Sequence, residues 1–357
     1  MGWSVQRNVP RVVIGALAAG VVFATGWAAR GLREPRQAPP TPLPIREIRE
    51  QGPPSWQFIN PLLECDIASP LLQRPELVDF KRRLEALVNA HHATGEIAFA
   101  SIYFRELNEG PWIGINEDAE YIPASLLKLP LLISVLKRDE ADPSFLEKSV
   151  VFRGPRDENR MIVFRPPDTL VPGRSYTVGE LCRRMVRFSD NNAATALNSL
   201  ITAAELNRTL RGLGVLPELV ETGGHVNVKT VSAFFRVLYN ASYLDHKHSE
   251  LALEMLSDSW FHGGIVSGVP EGVRICSKYG ETAPGLQSFQ LHDFAIVYHA
   301  QRPYLLGVMT QGGNIVLMAN FIQEISRTIY TEVDRQSQQA DAAVLNPAAA
   351  DARMDRP

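Results

Sequence analysis

The chain has 357 residues, with Lys+Arg 36 against Asp+Glu 39 and a formal net charge of −3. That length gives one large or two ordinary domains a full core, and the near-balance of charge leaves no basic footprint for nucleic acid. Cys65, Cys182 and Cys276 cannot all pair and match no zinc spacing, which favours buried thiols, with a bridge from Cys65 to Cys276 or Cys182 as the alternative.

Residues 1–11 form a short basic start, and residues 12–29 follow without a charge. A helix of that length just crosses a hydrocarbon core of about 30 Å. No Ala-x-Ala site closes the run, so a signal anchor is expected, with a cleaved signal peptide as the alternative. Residues 30–55 carry prolines at 35, 39, 40, 42, 44, 53 and 54, which predicts a stiff extended spacer. A folded domain is expected over residues 56–335 and a disordered tail over 336–357.

Within the domain, Leu77, Phe80, Leu84, Leu87 and Val88 recur at helical spacing and predict a first helix over residues 76–92. It ends at His91 and His92, adjacent residues that do not share a helix face, so a terminus is expected there rather than a metal site. Residues 96–107 alternate, and Trp112, Ile113 and Ile115 continue in extended character, which predicts a hairpin. Residues 152–174 look like a surface excursion. Thr177 and Glu180 form a capping box for the next helix. Residues 139–257 are expected to make an all-helical lobe. Strands return at residues 274–280, 289–299 and 304–310, and a closing helix is predicted from Ile315 to Val333. Strands at both ends of the domain imply one antiparallel sheet flanked by N- and C-terminal helices, an α+β fold with the helical lobe inserted.

Three short motifs carry the chemistry. Ser125 and Lys128 lie one helical turn apart at a helix start, which places an amine beside a hydroxyl. A serine attacks only when a base takes its proton, and a lysine pressed among apolar neighbours has its pKa lowered towards that role. Ser189-Asp190-Asn191 precedes an alanine-rich helix; it reads both as an N-cap and as a hydroxyl and an amide presented on a tight loop. Lys278-Tyr279-Gly280 lies on a strand.

In this order and context the motifs resemble those of the class A β-lactamases and penicillin-binding proteins over roughly residues 77–333. The resemblance implies that Ser125 is acylated, that Lys128 takes its proton, and that Ser189 relays a proton to the leaving nitrogen. It also implies that Lys278 holds Ser189 and attracts a substrate carboxylate, and that Asn191 binds the acyl-amide side chain. Backbone N–H groups of Ser125 and Glu281 would bind the oxyanion, with Tyr279 and Gly280 in the substrate-binding strand. No cofactor or metal is implied. The partner is a β-lactam or a peptidoglycan peptide, the membrane enters through the N-terminal segment, and a monomer with its catalytic domain outside the cytoplasm is expected.

Two departures stand out. Tyr279 replaces the family's Thr or Ser, and residues 214–229 lack the Glu-x-x-Leu-Asn motif that activates the deacylating water. Glu218 and Glu221 are the nearby acids and the candidate bases for that step. The expected function is a serine hydrolase of the β-lactamase-like fold; a D,D-peptidase or a non-turnover cell-wall sensor is the alternative.

Overall fold

A computed structural model describes residues 47–49, 56–65, 75–108, 111–154, 157–217, 224–282 and 288–345. The segment 12–29, Glu218 and Glu221 lie outside these residues. No described helix is long and apolar enough to cross a membrane. Contacts divide the chain after Leu43, and the unit from Pro44 onward carries every described element.

The fold is α+β. Strand β1 (Glu47–Arg49) pairs antiparallel with β2 (Leu62–Cys65), so part of the expected spacer is ordered. Proline-flanked chain is already extended, and pairing it removes little additional freedom. The chain then runs along the domain, where the Phe58 and Ile59 N–H groups donate to the Glu250 carboxylate at 2.9–3.1 Å.

Helix α1 (Pro75–Ala93) leads into β3 (Phe99–Glu106) and β4 (Trp112–Ile115), the predicted hairpin. After β5 (Glu120–Tyr121), a 3-10 turn at Ala124–Leu127 opens α2 (Lys128–Ala141). Strands β6 (Ser149–Val151) and β7 (Ser175–Thr177) form a small ribbon. Helices α3 (Val178–Arg187), α4 (Asn191–Asn198) and α5 (Ala203–Gly212) follow, then β8 (Val226–Asn227), which pairs with β5, and α6 (Val228–Tyr239) and α7 (His246–Ser257). The lobe is therefore helical apart from two short ribbons. The α3 capping box is present: Thr177 Oγ1 accepts from Glu180 N, and the Glu180 side chain accepts from Thr177 N. Strands β9 (Ile275–Glu281), β10 (Phe289–Val297) and β11 (Tyr304–Gly312) complete the sheet, in the order β4-β3-β11-β10-β9, antiparallel throughout.

Both faces of this sheet are covered, so its strands are apolar on both sides. Tyr103, Phe294, Ile296, Leu305 and Met309 face the lobe, where α2 lies buried from Lys128 to Leu136. Their alternates Ile102, Phe104, Ala295, Leu306 and Val308 face a second cluster with α1 and the C-terminal helix α8 (Ile315–Leu345). Helix α8 runs ten residues beyond the expected domain end, a correction to the disordered tail. Glutamine and alanine are strong helix formers, and the extension is tied down: Arg302 donates to Gln336 Oε1 at 3.1 Å and Gln301 to Asp341 at 2.8 Å. Cys182 and Cys276 are buried free thiols, so neither is bridged to Cys65.

Candidate active site

The site forms where the lobe meets the open edge of the sheet. Pro123 ends the approach, and Ala124 takes φ 48, a left-handed conformation unusual for a residue with a Cβ. This sharp entry presents Ser125, half-buried, at the start of the 3-10 turn. Lys128 begins α2 and returns its side chain along the same face, as the three-residue spacing requires. Lys128 Nζ lies 2.8 Å from Ser125 Oγ.

The second motif comes in from the α3–α4 loop. Asp190 caps α4, accepting from Asn192 N and Ala193 N, and it is fully buried. Ser189 just before it sits at φ 57. The N-cap reading and the presented-hydroxyl reading both describe the loop, because the cap fixes the turn that aims its neighbours. Lys128 Nζ donates to Ser189 O at 2.7 Å and to Asn191 Oδ1 at 2.6 Å, and it is 3.2 Å from Ser189 Oγ. Strand β9 brings Lys278 Nζ to 2.9 Å from the same Ser189 Oγ, and Lys278 also donates to Tyr279 O at 2.7 Å. Ser125, Lys128, Ser189 and Lys278 thus form one unbroken chain of polar contacts.

Burial governs the charges here. It lowers the Lys128 pKa to about 7, against the opposing pull of Asp190 and Glu281. Lys278 is held well below the usual amine range, first by burial and then by repulsion from Lys128. Burial raises the Glu281 carboxyl, opposed by the N–H groups of Phe164 and Val163 that donate to it and by both lysines. These are the conditions in which an amine serves as a proton acceptor near neutral pH.

The strand approaches the turn closely at Gly280. A Cβ there would stand 3.1 Å from Leu126 Cγ and 3.3 Å from the Ser125 and Leu126 nitrogens. Thr282 N–H donates to Gln290 O at 3.0 Å, so antiparallel alternation turns the Glu281 N–H away from β10 and towards the open edge. The Ser125 turn lies against that edge, and the two amides expected to bind an oxyanion face one region. Gly280→Val is expected to push β9 off the turn. The measurements are the acylation rate, at least about tenfold slower, and urea unfolding, weaker by about 1–3 kcal/mol as for other overpacked sites. An unchanged rate would mean that the strand-to-turn distance is not critical.

Tyr279, expected in the substrate-binding strand, does not line the cavity. Its ring stacks on Phe261 with centroids 4.3 Å apart, and its hydroxyl donates to Phe164 O at 3.2 Å. Its ring packs in the second cluster and is 1% exposed, while its hydroxyl also hydrogen-bonds Ser189 from the side away from the cavity, so it supports that serine and offers no hydroxyl to a substrate in place of the family's Thr or Ser. Its ring instead lies 4.6 Å from Lys278 Nζ. At the sheet edge the ring thus packs against Phe261 on one side and closes over the Lys278 amine on the other.

The segment 152–174, expected as a surface excursion, contributes a wall of the site. Asn159 is 2% exposed; its Nδ2 donates to Asp190 Oδ1 at 2.9 Å, and its Oδ1 accepts from Asn191 N at 2.7 Å. Asn192 Nδ2 donates to Asp157 at 2.7 Å. The Asn159 amide escaped the sequence reading because it lies in an aperiodic loop and its side chain acts through Asp190 and Asn191, more than thirty residues away. Asp157 followed by Asn159, which it caps, was the one local signal. Together the parts enclose a cavity of about 620 Å³ lined by Ser125, Lys128, Asn191, Glu158, Arg160 and Glu281. That is within the range of about 300–1,000 Å³ typical of small-molecule sites.

Comparison with known proteins agrees with this arrangement. The model of a family described as the β-lactamase enzyme family matches residues 79–333. Among solved structures, PBP-A is 19% identical with a TM-score of 0.60, covering 72% of this chain and 97% of that one. A class A β-lactamase from Mycobacterium abscessus is also 19% identical with a TM-score of 0.60, covering 71% and 99%. A β-lactamase from Francisella tularensis is 20% identical with a TM-score of 0.59, covering 72% and 99%. No curated protein matches. These likenesses carry the fold, while the family match extends over most of the sequence and over all three motifs: the chain belongs to the β-lactamase enzyme family.

Proposed function

We propose that this protein is a serine hydrolase in which Ser125 forms an acyl-enzyme with a β-lactam or a related amide. The observation that carries the reading is the contact chain from Ser125 through Lys128 and Ser189 to Lys278, closed by buried amines. Neutral Lys128 accepts the Ser125 proton as the Oγ–carbon bond forms. The carbonyl oxygen becomes an oxyanion, held by the N–H groups of Ser125 and Glu281, where each such donor is typically worth about 3–4 kcal/mol. When the tetrahedral centre collapses, the carbon–nitrogen bond breaks and the proton passes from Lys128 through the Ser189 hydroxyl to the leaving nitrogen. Hydrolysis of the ester then restores Ser125. The bases considered for that step, Glu218 and Glu221, lie outside the described residues.

A D,D-peptidase acting on peptidoglycan peptides is the second reading, favoured by the likeness to PBP-A, a variant of which is described as an acyl-enzyme complex with penicillin G. Either activity would place the domain outside the cytoplasm, held by the segment 12–29. Intact-mass spectra of the purified protein with benzylpenicillin, followed over time, separate the cases. A transient adduct mapped to Ser125 with accumulating product supports the hydrolase, and a lasting adduct supports the peptidase or a sensor. Absence of an adduct on the folded protein would overturn acylation altogether.

A further inference from the structure

The cavity does not present the charge that its lysines suggest. Lys278 is 0% exposed. Its amine is engaged by Ser189 Oγ and Tyr279 O and lies against the Tyr279 ring. The group of β9 that lines the cavity is Glu281, one residue beyond Gly280. Its Oε1 accepts from Phe164 N at 3.0 Å and its Oε2 from Val163 N at 3.1 Å, which fixes the carboxylate between the loop wall and the sheet edge. Each carboxylate oxygen has a second acceptor site, so two backbone donors leave capacity unused.

Other charges face the same space. Lys128 lies across the cavity on α2, Glu158 and Arg160 line it from the loop, and Asp293 on β10 acts on Lys278 from behind. Arg160 is exposed, so solvent and salt screen it, whereas Glu281 is 6% exposed and acts through a poorly screening interior. Asp293 is fully enclosed, with Oδ2 accepting from Ile265 N at 2.8 Å.

We propose that the Glu281 side chain sets the charge preference of the cavity: acyl donors that are neutral beside the scissile bond react with Ser125 faster than the same donors bearing a carboxylate there. The inference rests on the acyl-enzyme reading above and adds a substrate class to it. A carboxylate entering beside Ser125 meets the buried Glu281 carboxylate, while Lys278 is enclosed and Lys128 loses its charge as pH rises through about 7. At separations of several ångströms and an intermediate effective dielectric, such repulsion changes a rate by about tenfold or more.

Benzylpenicillin and its methyl ester differ only in that charge. The measurement is the ratio of their second-order acylation rates, ester over free acid, from intact-mass time courses with the full chain. Glu281→Gln is expected to lower the ratio at least about tenfold, whatever it does to the two rates in common. In the unmutated protein the ratio should fall as pH is lowered through the raised Glu281 ionisation, because the protonated side chain no longer repels the acid. Protonation of Lys128, which lines the same cavity, also favours the acid as pH is lowered through about 7, so the part of the fall that belongs to Glu281 is the part that Glu281→Gln removes. Loss of the loop anchor would slow both compounds equally, so an unchanged ratio in the variant overturns the inference. If the variant does not fold, a pH-independent ratio in the unmutated protein overturns it instead. Acylation by neither compound would remove the acyl-enzyme reading itself.

Discussion

Lys128→Met is expected to slow acylation of Ser125 by about 10²–10⁴-fold, the usual contribution of a positioned general base. The side chain is nearly isosteric and apolar, so it fills the space of a group that is 6% exposed while removing the amine 2.8 Å from the Ser125 oxygen. In the unmutated protein the rate should rise with pH through about 7, where burial has placed the Lys128 pKa, because only the neutral amine accepts a proton. The variant should lose that inflection. Stability moves in the same direction with pH. Between about 7 and the ordinary value of 10.5 the unfolded chain holds a proton that the folded one has released. The cost of burying Lys128 is therefore full below pH 7 and fades as pH rises towards 10.5. Stopped-flow acylation across pH, with thermal unfolding to confirm the fold, reads both effects. A variant within threefold of the original rate would mean that another group takes the proton.

Asp190→Ala is expected to be the most destabilising change at the site, by about 2–5 kcal/mol, from the lost helix cap and the buried donors left without an acceptor. Four groups lose their acceptor together: Asn192 N and Ala193 N at the start of α4, Asn159 Nδ2 at 2.9 Å and Arg184 Nε at 3.2 Å. Arg184 keeps Asp168, at 3.0 Å, but on its exposed side. Asp190→Asn retains an acceptor for the helix cap and should lose less, since a cap alone is worth about 0.5–2 kcal/mol. Urea unfolding of the two variants tests the ordering. A loss below about 1 kcal/mol for the alanine variant would show that the loop is held by its other contacts.

Much of the architecture was legible because it rests on periodicity. The β3–β4 hairpin, the returning strands β9 to β11 and the helical lobe each announce themselves by alternation or by helical spacing. Where the signal failed, the local pattern was overridden from elsewhere. The stretch around Glu47 reads as spacer until β2 supplies the missing partner. Residues 336–345 read as a polar tail until Gln301 and Arg302, on the turn between β10 and β11, give that end of α8 something to hold. The wall carrying Asn159 has no period at all, since its side chains answer to Asp190 and Asn191 rather than to one another.

For the site the division runs between residue type and environment. The spacing of Ser125 and Lys128 along one turn, and the cap before α4, follow from backbone geometry that neighbours in sequence dictate, so the sequence alone determined which hydroxyls and amines were available. It could not determine what surrounds them. Only the folded chain decided that Lys278 would be enclosed, that the Tyr279 ring would close over its amine, and that Glu281 would line the cavity. Charge state and accessibility depend on desolvation by groups far away in the chain, and the desolvation exists only once β9 has closed against the Ser125 turn.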